Sequence, residues 1–261
     1  MPDRIRRSLR LDEAVVARAG VTRSRARSLI MAGRVRVDGR PMTKPGTNVG
    51  ADALVDVERP RPFVSRGGEK LEAALEAFAI DVRGKSALDV GASTGGFTDC
   101  LLAYGAASVV ALDVGYGQLA YPLRMDTRVT VLERCNFRLM PADAFAAPFD
   151  VITIDTSFIS VRTMIARAIS YVTPDGDIVA LVKPQFEAGR ERIGGGGVVR
   201  DPAVHRAILV ETVDAAVALG VVPVALVRSP LRGPAGNVEF FLHIRRDGRA
   251  LDAAAIDEAL A

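Results

Sequence analysis

From Lys70 onward, short apolar runs alternate with stretches long enough for a helix, and this alternation constrains the fold more than any other feature of the 261-residue chain. The strand candidates span 86–90, 108–114, 129–132, 150–155, 177–182, 221–227 and 238–244. Helix candidates between them include 96–104, 161–172 and 202–219. Strands that alternate with helices pack into a mainly parallel sheet with helices on both faces, so an α/β, Rossmann-like sheet is expected. Ligands of such sheets bind beyond the carboxyl ends of the strands.

The first 70 residues differ in kind. They carry 16 Lys and Arg against 8 Asp and Glu, a balance of +8, so the remainder of a chain of net charge +3 stands at −5. A basic head on a mildly acidic body fits a polyanionic partner, because neutralised phosphates release counterions. Within it, "RLDEAVVARAG" has helical spacing and stops at Gly20, and Thr22 can cap a second helix that ends at Gly33. "RVRVDGRPM" reads as a tight hairpin turning at Asp38-Gly39. The result is a small α+β unit. The chain divides into this head at 8–59, a Pro- and Gly-rich linker at 60–67, the α/β domain at 68–247 and a tail at 248–261.

Other classes find little support. No apolar run approaches the roughly 18 residues of a membrane span, and the N-terminus has the charge of a signal peptide without its apolar centre, so a cytoplasmic location is expected. Cys100 and Cys135 lack metal-binding or disulfide-framework spacing. His205 and His243 are not tied by spacing to a nucleophile and read as structural.

The segment "LDVGASTGGFTDCLL", 88–102, follows the first strand of the sheet. Gly91 and Gly96 have the spacing of a phosphate-binding loop, but Phe97 stands where a nucleotide-binding loop needs a lysine. A helix N-terminus serves a carboxylate as readily as a phosphate. Asp113 ends the next strand, placed to accept hydrogen bonds from ribose hydroxyls. S-adenosylmethionine fits the description of a ligand with an adenosine-like ribose and a carboxylate but no diphosphate; a nicotinamide cofactor shares the strand–loop–Asp pattern. Asp155 and Lys183 follow apolar strands and should emerge at the same edge. By spacing alone Lys70 reads as a solvated helix face and Glu239 as an edge-strand charge.

Residues 10–46 resemble the alpha-L RNA-binding domain of the ribosomal protein S-four type, and the rest resembles the FtsJ-like 2′-O-ribose methyltransferases. With "SRGGEKL", "LDVGASTGGFTD", "DVGYGQLAYPLR", "LVKPQFEAGRE" and "GNVEFFL" in this order, the chain resembles the TlyA family of ribosomal RNA methyltransferases, also described as haemolysins. The resemblance implies a catalytic tetrad of Lys70, Asp155, Lys183 and Glu239. It also implies S-adenosylmethionine bound by Asp89, Gly91, Ala92, Ser93, Thr94, Gly95, Gly96, Phe97, Asp113, Asn136 and Asp155, without a metal. RNA contacts are expected at Arg10, Arg23, Arg25, Lys44 and Arg66. The implied activity is methyl transfer to the ribose 2′-OH of cytidine in ribosomal RNA within ribosomal subunits, with no membrane and no obligate protein partner. Lys183 is the expected general base, with Lys70 lowering its proton affinity and the two carboxylates orienting the lysines. The chain departs from the family pattern at Phe63, where tryptophan is usual, and at Thr156, where leucine is commoner. The run "IGGGGVV", 193–199, reads as a mobile loop that closes over the target nucleotide. The alternatives are a membrane-active haemolysin, a non-catalytic RNA-binding protein and a nicotinamide dehydrogenase.

Overall fold

A computed structural model describes residues 8–57, 62–194 and 196–261. Residues 58–61 of the expected head and linker, and Gly195 of the glycine run, lie outside the described residues. The chain divides into two compact units, Met1–Pro60 and Arg61–Ala261.

The first unit contains β1 (Ser8–Arg10), α1 (Leu11–Ala19), α2 (Arg23–Met31), β2 (Val35–Val37), β3 (Arg40–Met42), β4 (Asn48–Gly50) and β5 (Val55–Val57). Gly20 ends α1 in the left-handed conformation, and the Thr22 side chain accepts from Arg25 N at 3.3 Å to cap α2. β2 and β3 form the expected hairpin, with Asp38 and Gly39 both at positive φ, as a two-residue turn of this hand requires. The unit's core is small and apolar: Leu11, Val15, Leu29, Ile30 and Val35 are its main members.

The second unit contains α3 (Arg66–Ala77), β6 (Ser86–Val90), α4 (Gly96–Ala103), β7 (Ser108–Leu112), α5 (Tyr121–Arg124), β8 (Val129–Leu132), β9 (Phe149–Ile154), α6 (Val161–Ala168), β10 (Val172–Val182), α7 (Pro184–Glu187), α8 (Pro202–Ala218), β11 (Val222–Arg228), β12 (Phe240–Arg245) and α9 (Ala253–Leu260). Its sheet runs in the order β11-β12-β10-β9-β6-β7-β8, with β12 antiparallel to both neighbours and the other pairs parallel. Alternate side chains feed two cores. Leu88, Ile152, Ile154, Ile178 and Val182 pack on one face, and Ala87, Val151, Val179, Leu181 and Phe241 on the other. The chain leaves β6 toward β7 on one side and returns to β9 on the other, so the switch point lies between β6 and β9. The crevice for a ligand opens there.

Three expectations change. Ser65, read as linker, caps α3 by accepting from Gly67 N at 3.2 Å, so the helix starts at Arg66 and Lys70 lies in its second turn. Phe63 is also buried, and a Cβ on Gly68 would collide with its side chain, so this end of the linker belongs to the domain core. The tail is structural too: α9 buries Ile256 and Ala259 against the core, and Arg206 pairs with Asp257 at 2.8 Å.

Candidate active site

The loops after β6 and β9 meet at the switch point. Asp155 N donates to Val90 O at 2.9 Å, and a Cβ on Gly91 would strike the Asp155 backbone, so only glycine permits this approach. The glycine loop then enters α4, whose first turn packs on the first turn of α3. A Cβ on Gly96 would collide with Ser65 Oγ and lie 2.9 Å from Gly68 N. "SRGG" and "TGG" are therefore two halves of one contact between helix N-termini. Val64 N donates to Asp99 Oδ2 at 2.8 Å and ties them further.

That contact carries Lys70 to the carboxyl edge of the sheet. Lys70 Nζ donates to Glu239 Oε2 at 2.5 Å, with both side chains buried. Lys183 directly follows β10, and Pro184, which lacks a backbone donor, turns the chain into α7. Lys183 Nζ lies 2.5 Å from Asp155 Oδ1, an ion-pair contact whose angle falls outside hydrogen-bond geometry, and it donates to Ser157 Oγ at 3.2 Å. All four charged residues line one cavity of about 310 Å³, together with Ser65, Arg66, Gly67 and the loop residues Gly91 to Thr94, Gly96 and Phe97. Glu239 is thus no edge-strand charge, since β11 covers β12 on that side. Lys70 is no solvated helix face.

A second cavity, about 480 Å³, adjoins the first and shares Gly91, Ser93, Asp155 and Ser157 with it. Its walls are largely apolar, from Leu112, Phe137, Ile159 and Met164, with Asp113, Gln118 and Asn136 as polar points. Asp113 accepts from Ser93 N at 2.8 Å and Gly115 N at 2.6 Å, which fixes its carboxylate. Each oxygen retains a further lone pair. Asn136 Oδ1 accepts from Arg138 N at 3.1 Å, so its amide N–H₂ group is left for a ligand.

Two expected cofactor residues do not line either cavity. Asp89 is fully buried on the other side of its strand and accepts from Thr98 Oγ1 at 2.7 Å and Thr153 Oγ1 at 3.0 Å. Burial pushes its carboxyl up to about 6, against the two threonine hydrogen bonds, with Asp155 adding to the rise. It clamps α4 to β9 beneath the loop. Gly95 sits at φ +96 under Leu119 and Leu123, where it shapes the turn.

Sequence reasoning missed Ser157 and Phe158. Phe158 is 89% exposed at φ +63, an unusual conformation for an aromatic residue, and packs on Phe186 with ring centroids 5.0 Å apart at the mouth of the second cavity. A phenylalanine directly after the polar "DTS" is the only signal the sequence held. The glycine run also differs from the expected free loop, since Asn237, itself buried, accepts from Val199 N and donates to Gly197 O, both at 3.0 Å. His243 Nε2–H donates to Asp177 Oδ1 at 2.9 Å, and the ring stacks on Phe78.

In the N-terminal unit, Asp12 organises two of the expected RNA contacts. Arg10 reaches both its oxygens at 3.1 Å and Arg23 reaches Oδ2 at 3.3 Å, and the Arg10 guanidinium brings the Asp12 carboxyl down to about 2. The Lys44-Pro45-Gly46 turn lies against them, with Asp12 N donating to Pro45 O at 3.0 Å. Arg25, Lys44 and Arg66 are exposed, and Arg66 lines the cavity of Lys70 and Lys183 in its own unit.

A doubly wound sheet with a glycine loop and a paired lysine–carboxylate cluster at its switch point defines a class. The FtsJ-like methyltransferase pattern matches residues 63–246, and the S4 domain pattern matches 9–55. The chain is 48% identical over 253 residues, 95% of its length and 94% of the other's, to the 16S/23S rRNA (cytidine-2′-O)-methyltransferase TlyA of Mycobacterium tuberculosis. It is 44% identical over 95% of its length, and 90% of the other's, to a Bacillus subtilis protein named as an rRNA methyltransferase, YqxC. A solved Streptococcus thermophilus chain described as a hemolysin shares 37% identity, with a TM-score of 0.75 over 98% of this chain and 95% of that one. The chain is thus an FtsJ-like methyltransferase with an N-terminal S4 domain, and within that class it belongs to the TlyA family.

Proposed function

We propose that the chain transfers the methyl group of S-adenosylmethionine to the 2′-OH of a cytidine ribose in ribosomal RNA within ribosomal subunits. The observation that carries this reading is the convergence of Lys70, Asp155, Lys183 and Glu239 on one cavity that opens beside the glycine loop. The adjoining cavity fits the cofactor, with apolar walls for an adenine, Asp113 for ribose hydroxyls and the loop backbone at the α4 N-terminus for a carboxylate. S-adenosylmethionine, when bound, supplies an electrophilic methyl group.

The acceptor hydroxyl must lose its proton as it attacks, and Lys183 Nζ is the base assigned to take it. An ammonium holds no lone pair, so Lys183 reacts as the neutral amine. Asp155 holds the Lys183 side chain at the cavity through their ion-pair contact. Glu239 holds Lys70 in place through a buried, charge-assisted hydrogen bond. Ser157 fixes the direction of the Lys183 amine. The exposed Phe158 ring offers a stacking face for an unpaired base, which suits recognition of a nucleotide drawn out of a helix. In the N-terminal unit, Arg25, Lys44 and the Asp12-anchored pair Arg10 and Arg23 contact RNA phosphates.

No described helix is long and apolar enough to cross a membrane. We place this activity in the cytoplasm, as part of the same proposal. The direct test is transfer of labelled methyl from S-adenosylmethionine to purified small and large ribosomal subunits by wild type and Lys183→Ala. Label in one or both subunits that is lost in the variant is expected; equal label from both proteins would sink the assignment of the base.

A further inference from the structure

Across the 229–239 loop from the catalytic cavity lies another, of about 410 Å³, which the proposed reaction does not use. It is lined by Arg200, Arg228 and Arg232, with Gly236 and Val238 from the loop and His205 from α8. All three arginines are exposed, and none has a carboxylate within ion-pair distance among the described residues. Arg232 Nη1 donates to Gly236 O at 3.1 Å, which holds its guanidinium at the rim. His205 is 94% buried, and its Nε2 has no hydrogen-bond partner in the structure. A buried polar atom without a partner is costly, so a histidine kept here points to a ligand group that meets it. Burial pushes the imidazole below its usual range; Arg228 and Arg232 push the same way, opposed by the Val199 backbone and Asp201. Both guanidinium groups therefore act on His205.

The walls are fixed. Asn237 ties the loop to Val199 and Gly197, Ser229 N donates to Glu239 O at 2.9 Å, and Gly233 N donates to Asn237 O at 2.9 Å. The same loop supplies Pro234 and Glu239 to the catalytic cavity. A ligand seated against Gly236 and Val238 thus lies one loop away from the tetrad. Guanidinium groups with free donors match phosphate oxygens best. A volume of about 410 Å³ is within the range of roughly 300–1,000 Å³ typical of sites for whole ligand fragments and exceeds what one bare anion fills. S-adenosylmethionine has no phosphate, and RNA has one per nucleotide.

We propose that this cavity seats a backbone phosphodiester of the acceptor RNA strand, held by Arg200, Arg228 and Arg232 with His205 Nε2 as a further partner. The assignment to RNA rests on the function proposed above; the phosphate chemistry of the site does not. His205 can donate to a phosphate oxygen as its Nε2–H tautomer or as imidazolium. The site is a positioning element, since an anchored phosphate limits where the flanking ribose can lie and so aligns its hydroxyl with the tetrad.

The experiment exploits the chain's having only two histidines. Imidazole carbon-bound protons of the full-length protein are followed by NMR during titration with inorganic phosphate, in wild type and in the double variant Arg228→Ala/Arg232→Ala. The His205 signal should move saturably in wild type and stay still in the variant, while His243, held by Asp177, serves as the control. The same variant should bind ribosomal subunits about tenfold more weakly, the loss expected for one charge-assisted contact. Its plot of log affinity against log salt should be shallower by roughly one. Cofactor binding and melting temperature should be unchanged. A His205 signal indifferent to phosphate, with subunit binding unaltered in the variant, would overturn the site. A phosphate response without any change in subunit binding would make it a site for free phosphate and overturn its assignment to RNA. Should wild type bind subunits and respond to phosphate yet transfer no methyl, the proposed reaction fails while the phosphate site is upheld.

Discussion

Replacing Glu239 with alanine should destabilise the protein far more than an average substitution. The Lys70–Glu239 pair is closed at 2.5 Å, with 8% of the Lys70 side chain and 1% of the Glu239 side chain exposed, so neither charge has water to fall back on. Removing one partner of such a pair leaves an uncompensated buried charge, at a cost of about 3–5 kcal/mol. For a domain of this size each kcal/mol moves the melting temperature by roughly 2–4 °C, so Glu239→Ala should melt about 10 °C below wild type. Removing both charges together is different, because well-packed apolar replacements of a buried pair are often neutral or better. Lys70→Met/Glu239→Leu should therefore recover most of the lost stability while methyl transfer stays abolished. Urea denaturation of wild type, Lys70→Met, Glu239→Leu and the double variant measures the coupling, and subunit methylation on the same samples separates folding from catalysis. If Glu239→Ala falls within about 1 kcal/mol of wild type, the range of an ordinary exposed ion pair, the buried-pair argument is wrong. A double variant no more stable than the single one would refute it equally.

Further outcomes follow from other contacts. Lys183→Ala should slow methyl transfer about 10²–10⁴-fold, the usual contribution of a general base, while S-adenosylmethionine affinity measured by equilibrium dialysis stays within about threefold. Gly96→Ala should destabilise by about 1–3 kcal/mol and also lower turnover, because the new methyl group pushes α3, and Lys70 with it, away from α4; unchanged melting would mean the helix ends can part without penalty. Asp89 makes a pH-dependent contribution of unusual sign. Its folded carboxyl titrates at about 6 against about 4 unfolded, so the folded state binds the proton more tightly and stability rises as pH falls from 7 toward 4. The stability gap between wild type and Asp89→Asn should therefore move by about 2 kcal/mol in favour of wild type over that window, and a constant gap would contradict the assignment. Asp12 works oppositely: its depressed carboxyl stabilises the N-terminal unit above about pH 4, and that contribution is lost as pH falls toward 2.

The strands were legible because their apolar runs stop at turn residues. The segments 86–90 and 129–132 match β6 and β8 end to end, and Asp155 and Lys183 could be placed at the sheet's carboxyl edge for the same reason. Local pattern served less well where tertiary contacts decide. Lys70 and Glu239 are 169 positions apart, so no spacing rule could show that each neutralises the other. The start of α3 was hidden in a Gly-rich segment that looks like linker, and its glycines are needed for the approach of α4. Asp89 was expected as a cofactor ligand through the family resemblance; strand alternation turns it instead into the core, toward Thr98 and Thr153. In the head, the sequence counted Arg10 and Arg23 as free charges, whereas Asp12 restrains both.

The central claim is transfer to a ribose oxygen of cytidine. Ribosomal RNA recovered from subunits treated with the protein and labelled S-adenosylmethionine would be digested to nucleosides and analysed by fragmentation mass spectrometry. The account predicts a cytidine whose added methyl travels with the sugar fragment and is absent after treatment with Lys183→Ala. A methyl group retained on the base fragment, or found on another nucleoside, would contradict it.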